Sequence, residues 1–236
     1  MKNKYIKFKQ IAGLGDILFL EPIARKFYNE GFKIYWPVTK CYYEDVKRHI
    51  PYIDWVIYNS SDDFKVEKTY DFEDSYWKWH NKTGCRIMEA KYKVVDMDIE
   101  MWRTFKYKRN LDKENQLIEE LNLDINKPYS LRHLEYGTPQ SDKAEKVGTF
   151  MNNQIDKNNN MKTVDIDYMD GYSILDWSTI IENAYDIRFV STCTLYLVET
   201  LNLINNPELH LYARSQDPNL IETGYLCNKN WKIHTL

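Results

Sequence analysis

The chain has 236 residues and a net charge of −3, with an isoelectric point of about 6.0, which excludes an overall electrostatic attraction to nucleic acid or anionic membranes. It is 43% hydrophobic and 15% aromatic, enough for one large or two small domains with real cores. No apolar run approaches the roughly 20 residues of a membrane-spanning helix. The basic start is not followed by the apolar core of a signal peptide. The four cysteines are widely scattered and form no CxxC pair, so we expect neither a disulfide framework nor a zinc motif. Both observations lead us to expect a cytoplasmic protein.

The opening stretch predicts a strand, a glycine turn and a helix. Residues 5–9 alternate apolar and polar side chains, whereas residues 17–28 carry apolar side chains at helical spacing. Gly13 and Gly15 lie between them, where glycine allows a tight turn and a close approach to a ligand. Asp16 enters the helix and can cap it. From the turn alone the capping interpretation is favoured, since the full dinucleotide-binding fingerprint is absent.

The rest of the first half continues an alternation of strands and helices, which predicts a parallel sheet with right-handed crossovers. Residues 59–93 show no regular pattern, and their aromatic stretch at 76–80 fits either a packed loop or an acceptor-binding wall. The predicted strands are 32–38, 55–58 and 92–95, and the predicted helices are 42–49, 102–109 and 111–121.

The second half repeats the alternation after a polar connector at 122–128. We therefore predict two α/β domains, 1–126 and 127–236, with a cleft between them. Gly137 and Thr138 are expected in a turn that ends the first strand of the second domain, and residues 191–194 in a polar turn. The predicted strands are 129–134, 162–166, 186–190, 209–212 and 231–233, and the predicted helices are 175–184 and 195–203.

The glycine turn and its helix resemble the opening of the heptosyltransferase-like glycosyltransferases. Their signature is a Gly-Asp pair followed by an apolar helix with a proline about six residues later, and Pro22 lies six positions after Asp16. The strand, polar turn and helix over 186–201 resemble the donor-phosphate loop of that family, although heptosyltransferases usually carry a glycine and a histidine there. Residues 132–138 resemble the first donor-domain loop of small, virus-type relatives. The resemblance implies a GT-B fold, which is two Rossmann-like domains facing a cleft, with an acceptor domain at 1–126 and a donor domain at 127–236.

The resemblance also implies an inverting, metal-independent transfer from a nucleotide sugar to an acceptor hydroxyl. Asp16 would take the hydroxyl proton. The leaving diphosphate needs positive charge or N–H donors, which a helix N-terminus with hydroxyl side chains and an arginine can supply. The resemblance implies no cofactor other than the nucleotide-sugar donor substrate. The implied acceptor is a glycan or another hydroxyl compound, and modified DNA is a further possible acceptor. The implied donor-binding residues are Gly13, Gly15, Arg132, Gly137, Thr138, Ser191, Thr192, Tyr196 and Glu199.

Several alternatives stay open on the residues. Asp96 and Asp98 follow two valines, as the Asp-x-Asp of metal-dependent GT-A glycosyltransferases follows a strand, and a similar pair occurs at 165–167. A non-catalytic protein that binds a nucleotide or glycan is the other possibility. For the donor residues the ordinary roles are helix capping, a surface salt bridge for Arg132 and a solvated glutamate for Glu199. A basic and aromatic cluster at 102–109 fits a phosphorylated acceptor or DNA, but more often forms the solvated face of a helix.

Overall fold

The computed structural model describes residues 4–61, 64–158, 160–214 and 226–235. By its internal contacts the chain divides into two units. The first comprises Met1–Lys108 and Thr138–Gly148, and the second comprises Arg109–Gly137 and Thr149–Leu236. Of the helices in the described ranges, none combines the length and the apolar composition that crossing a bilayer requires.

The first unit contains a four-stranded parallel sheet, in the order β3-β2-β1-β4. Its strands are β1 (Tyr5–Lys9), β2 (Lys33–Val38), β3 (Asp54–Ile57) and β4 (Lys68–Asp71). The buried ring of Phe8 in β1 packs against Trp36, at 4.9 Å between ring centroids, and against Phe72, at 5.0 Å. The alternation over residues 5–9 thus directs Phe8 into an aromatic core, as the pattern predicts.

Helices of the first unit carry the turn that the sequence singled out. Helix α1 (Leu14–Asn29) buries an almost continuous apolar run from Ile17 to Ala24, including Pro22. The others are α2 (Lys40–His49), α3 (Ser75–Thr83), α4 (Ile87–Lys93) and a 3₁₀ helix, Ile99–Thr104. The aromatic stretch that the sequence left open lies on α3.

Two predictions for the first unit are wrong. The strand expected at 92–95 is the end of α4 and a turn, because Met88, Lys91 and Tyr92 bury one side of a helix. The fourth strand is instead β4. The helix expected at 102–109 is only the short 3₁₀ helix, after which residues 105–110 have no regular secondary structure. Its basic residues therefore share no helix face.

The second unit contains a five-stranded parallel sheet, in the order β11-β10-β9-β5-β8. Its strands are β5 (Tyr129–His133), β8 (Lys162–Asp165), β9 (Asp186–Val190), β10 (Glu208–Tyr212) and β11 (Trp231–His234). The α-helices are α5 (Leu111–Glu120), α6 (Ser178–Asn183) and α7 (Cys193–Thr200), with a 3₁₀ helix, Ile174–Trp177, before α6. Two parallel α/β sheets confirm the predicted fold class.

Gly137 and Thr138 are not in a turn. They belong to β6 (Glu135–Thr138), which pairs with β7 (Gly148–Met151) in a separate two-stranded sheet. Tyr136 in β6 stacks on Phe150 in β7, with 5.7 Å between ring centroids, and such cross-strand aromatic pairs stabilise a hairpin.

The contact division lies at Lys108/Arg109, earlier in the chain than the predicted boundary at 126. Helix α5 accordingly belongs to the second unit. Glu114 of α5 accepts hydrogen bonds from Arg109 Nε at 2.9 Å and from Thr179 N at 3.0 Å, and Arg109 also pairs with Glu182 at 2.6 Å. A pattern of hydrophobic residues does not predict these polar contacts with α6. The sequence therefore indicated the polar connector at 122–128 as the domain boundary.

Candidate functional site

The first group of candidate residues lies where β1 ends and α1 begins. Gly13 is the N-cap of α1 and has φ +82°, a left-handed conformation that favours glycine. A Cβ added to Gly13 would overlap Oδ2 of Asp16, so the missing side chain makes room for this carboxylate. Gly15 lies within the first turn of the helix. Glycine at position 13 therefore has a local structural reason.

Asp16 is in the first turn of α1 and is not its cap. The capping interpretation is wrong, since no backbone N–H of the described residues donates a hydrogen bond to this carboxylate. Oδ1 instead forms an ion pair with Lys91 Nζ at 3.2 Å, and the side chain keeps 33% of its surface exposed. One oxygen is thus fixed by a cation, while the carboxylate remains reachable from solvent.

Lys91 is a functional candidate that the sequence did not reveal. It lies on α4 and is only 2% exposed, and its acceptors include Asp16, Gln10 Oε1 at 2.5 Å and the Phe72 carbonyl at 3.2 Å. A buried ammonium is stable only when it is paired in this way. Lys91 therefore ties Asp16 to the loops that follow β1 and β4. No sequence signal could have found it, since its helix lies in the stretch without a regular pattern.

The second group of candidates lies where β9 ends and α7 begins. Ser191 is buried, and Thr192 is the N-cap of α7. Thr192 Oγ1 lies 2.9 Å from Thr194 Oγ1, and His133 Nδ1, at the end of β5, lies 3.2 Å from Thr194 Oγ1. Burial lowers the pKa of His133 to about 4, so its imidazole is neutral near pH 7. Neutral hydrogen-bonding groups therefore surround a helix N-terminus, where backbone N–H groups and the helix dipole favour an anion.

Arg214 adds a positive charge at the same edge of the second sheet. It lies two positions beyond β10, and its buried Nε has no hydrogen-bond partner in the described part of the chain. Its charge acts to lower the pKa of the Cys193 thiol, although burial prevails and raises that pKa to about 11. Arg214 is thus near the first residue of α7. Its place just past a predicted strand, like that of His133 at a strand end, is a signal that could have found it.

The remaining predicted donor residues have structural partners. Arg132 pairs with Asp165 through Nε at 2.6 Å and Nη2 at 2.9 Å, and its Nη1 donates to the Ile155 carbonyl at 2.8 Å. The geometry therefore favours the salt-bridge alternative for Arg132. Glu199 accepts hydrogen bonds from Asn228 N at 2.8 Å and from Trp231 Nε1 at 2.7 Å. Tyr196 is buried on α7.

The premise of the metal-dependent alternative is wrong. Asp96 and Asp98 follow α4 and not a strand, and Asp96 has φ +53°. Asp98 caps the 3₁₀ helix by accepting a hydrogen bond from Glu100 N at 3.0 Å. Asp165 of the second Asp-x-Asp pair does lie on a strand, but Arg132 holds its carboxylate. Neither pair presents two carboxylates on one strand that are ready for a cation.

Comparison with known proteins shows the fold class. No protein-family model and no curated protein matches the chain by sequence. Among solved structures, a family 9 glycosyl transferase from Veillonella parvula superposes with a TM-score of 0.57 at 8% identity, over 98% of this chain and 86% of the other. The iron-containing dodecameric glycosyltransferase TibC from enterotoxigenic E. coli gives a TM-score of 0.51 at 11% identity, over 93% of this chain and 61% of the other. The chain therefore has the Rossmann-like α/β fold of such glycosyltransferases.

Proposed function

We propose that this protein is a glycosyltransferase that moves a sugar from a nucleotide-sugar donor to an acceptor hydroxyl, with inversion and without a metal ion. The observation that carries the proposal is the Gly13–Asp16 turn, in which a partly exposed carboxylate is held by a buried lysine at the carboxyl end of a parallel strand. Ligands of open parallel α/β sheets bind at that edge. The fold shared with known glycosyltransferases supports the same conclusion.

Asp16 is the proposed general base. The acceptor oxygen attacks the anomeric carbon and its proton passes to Asp16, while the bond from that carbon to the diphosphate oxygen breaks. The diphosphate leaves with the electron pair, and a single displacement inverts the anomeric carbon. Lys91 keeps one carboxylate oxygen in place, so that Oδ2 is directed to the acceptor.

The N-terminus of α7 is the proposed diphosphate site. Ser191 and Thr192 supply hydroxyl and backbone groups at the positive end of the helix dipole. Arg214 supplies a cation whose Nε has no hydrogen-bond partner among the described residues, and an anionic oxygen would satisfy this donor. Together they would stabilise the charge that develops on the leaving group without a metal.

The other assignments implied by the family resemblance remain proposals. The acceptor part is the first unit and the donor part is the second unit, in place of the predicted bounds 1–126 and 127–236. The acceptor is a glycan or another hydroxyl compound. Gly13, Gly15, Gly137, Thr138 and Tyr196 stay in the proposed donor-contacting set. Arg132 and Glu199 would have to release hydrogen bonds before they could contact a donor.

A thermal-shift screen with nucleoside diphosphates and nucleotide sugars tests this function. A ligand present at a hundred times its Kd should raise the free energy of unfolding by about 2.7 kcal/mol. The Arg214→Gln variant should lose most of that response, whereas Arg103→Gln, which removes an arginine from the first unit, should keep it. No response to any nucleotide in the wild-type protein would contradict the proposal.

A further inference from the structure

Three potential metal ligands converge near the amino ends of two neighbouring strands in the second unit. Asp186 is the first residue of β9 and Glu208 the first residue of β10, and the two are paired in register. His210 is two positions after Glu208, so both side chains leave β10 on the same face. One ligand atom from each residue lies within 4.8 Å of the other two.

Two of the distances between ligand atoms are close to those around a small transition-metal ion. Zinc binds nitrogen and oxygen ligands at about 2.0–2.2 Å, which puts the ligands of a tetrahedral site roughly 3.3–3.6 Å apart. His210 Nε2 lies 3.4 Å from Glu208 Oε2 and 3.7 Å from Asp186 Oδ1. An imidazole nitrogen with only two carboxylates matches zinc better than calcium, which takes six to eight oxygens, or magnesium, which prefers oxygen.

The buried carboxylate of Asp186 supplies an independent reason. The residue is only 2% exposed, and its Oδ2 accepts hydrogen bonds from Ser130 Oγ at 2.5 Å and Arg188 Nε at 2.7 Å. Its Oδ1 faces His210 Nε2 at 3.7 Å, a contact that is an ion pair only when the imidazole is protonated. A buried carboxylate is costly without compensating charge, and a cation bound between this oxygen and the imidazole nitrogen would supply it.

Neighbouring side chains form hydrogen bonds to the ligands, as the outer partners of metal ligands do in known metal sites. The other ring nitrogen of His210 lies 2.9 Å from His234 Nε2, and Ser130 and Arg188 hold Asp186. Such outer partners fix the orientation of the ligating imidazole and carboxylate. Glu208 is exposed and pairs with Lys232 at 2.8 Å, so the site can be entered from solvent when that ammonium moves away.

We propose that Asp186, Glu208 and His210 bind one Zn²⁺ ion, with water in the fourth position. The site goes beyond the proposed sugar transfer. Thr192 and α7 follow the carboxyl end of β9, whereas this site lies near the amino ends of β9 and β10. The ion would join β9 to β10 and stabilise the second unit.

Calorimetric titration of the full chain with Zn²⁺, after removal of bound metals by a chelator, tests the site. The matched variants are Glu208→Gln and Glu100→Gln, which neutralise glutamates that are 63% and 62% exposed and that each pair with a basic residue. We expect one tight site in the wild type and in Glu100→Gln, and at least tenfold weaker binding in Glu208→Gln. Because Lys232 competes with the ion for Glu208, Lys232→Met should bind Zn²⁺ more tightly than the wild type.

Titration with Co²⁺ separates this site from the cysteines. Coordination by one imidazole and two carboxylates gives visible absorption without the sulfur-to-metal charge transfer that a thiolate site shows. Equal Zn²⁺ affinity in Glu208→Gln and Glu100→Gln, a thiolate spectrum, or no binding by the wild-type protein would each overturn the proposal.

Discussion

Gly13 links the backbone of the first turn directly to the proposed base, and substitution by alanine tests that link. At φ +82° an L-residue is strained by about 1–2 kcal/mol. The new Cβ would also overlap Oδ2 of Asp16 and lie 3.4 Å from its Cγ. Gly13→Ala therefore combines a backbone penalty with displacement of the carboxylate.

Gly31 provides the matched control, because its φ is +90° and a Cβ added there would meet nothing within 4 Å. Gly31→Ala should lose about 1–2 kcal/mol of unfolding free energy and keep full turnover. In Gly13→Ala the carboxylate must move by roughly 1 Å, and a misplacement of that size costs on the order of 10²-fold in rate. We therefore expect similar stability losses and very different activities.

The assay pairs urea denaturation with initial rates of sugar transfer, using the donor found in the nucleotide screen. Rates are measured well below the unfolding midpoint of both variants, so that the folded fraction is complete. Turnover in Gly13→Ala equal to that in Gly31→Ala would refute the reasoning that the glycine makes room for a catalytic Asp16.

Three further predictions concern the second unit and the metal question. Ser191→Ala combined with Thr192→Ala should weaken donor binding by tenfold or more in calorimetry, because polar groups that bind an anion typically contribute about 1.5–3 kcal/mol, while Thr200→Ala at the other end of α7 should not. Burial lowers the pKa of His133 from 6.5 to about 4, so the unfolded chain binds more protons than the folded chain between those pH values. The free energy of unfolding should therefore decrease as the pH is lowered from 6.5 to about 4, by up to about 1.4 kcal/mol per pH unit. Denaturation at several pH values should show a smaller decrease in His133→Asn. The Glu208→Gln variant, which lacks one of the proposed zinc ligands, should keep its rate of sugar transfer at 25 °C in excess EDTA. Loss of the rate and its recovery with Mn²⁺ would contradict the metal-independent mechanism.

Local sequence patterns predicted most of the regular structure. Residues 5–9 form the strand that their alternation indicates, and α1 forms the helix that its apolar run indicates, although it is buried on all sides from Ile17 to Ala24. The short apolar strands β9 and β10 are also where the pattern puts them. The helix predicted at 175–184 is present as a 3₁₀ helix followed by α6, and Ser173 begins it with a capping box.

The errors occur where tertiary contacts decide the conformation. Val94 and Val95 favour a strand by propensity, yet they follow a helix whose buried side includes Lys91. Gly137 looked like a turn residue, but pairing with β7 makes it part of a strand. Periodicity could not predict that Arg109 joins the second unit, because ion pairs that connect elements distant in the chain leave no local signal.

The candidate site was predictable only in part. Asp16 and Thr192 were predicted because each belongs to a stretch that reads as strand, turn and helix and that resembles a heptosyltransferase loop. The cations beside them were missed. Lys91 reaches Asp16 across 75 positions of the chain, from 16 to 91, so only the folded structure brings the pair together.

The central claim, that Asp16 is the base of a sugar transfer, is tested most directly by measuring turnover and donor affinity together in Asp16→Asn. The substitution preserves the size of the side chain and removes its ability to take a proton. The account predicts a fall in turnover of about 10²–10⁴-fold, the usual contribution of a general base, with donor Kd unchanged. Turnover that stays near the wild-type value while the donor still binds would contradict it.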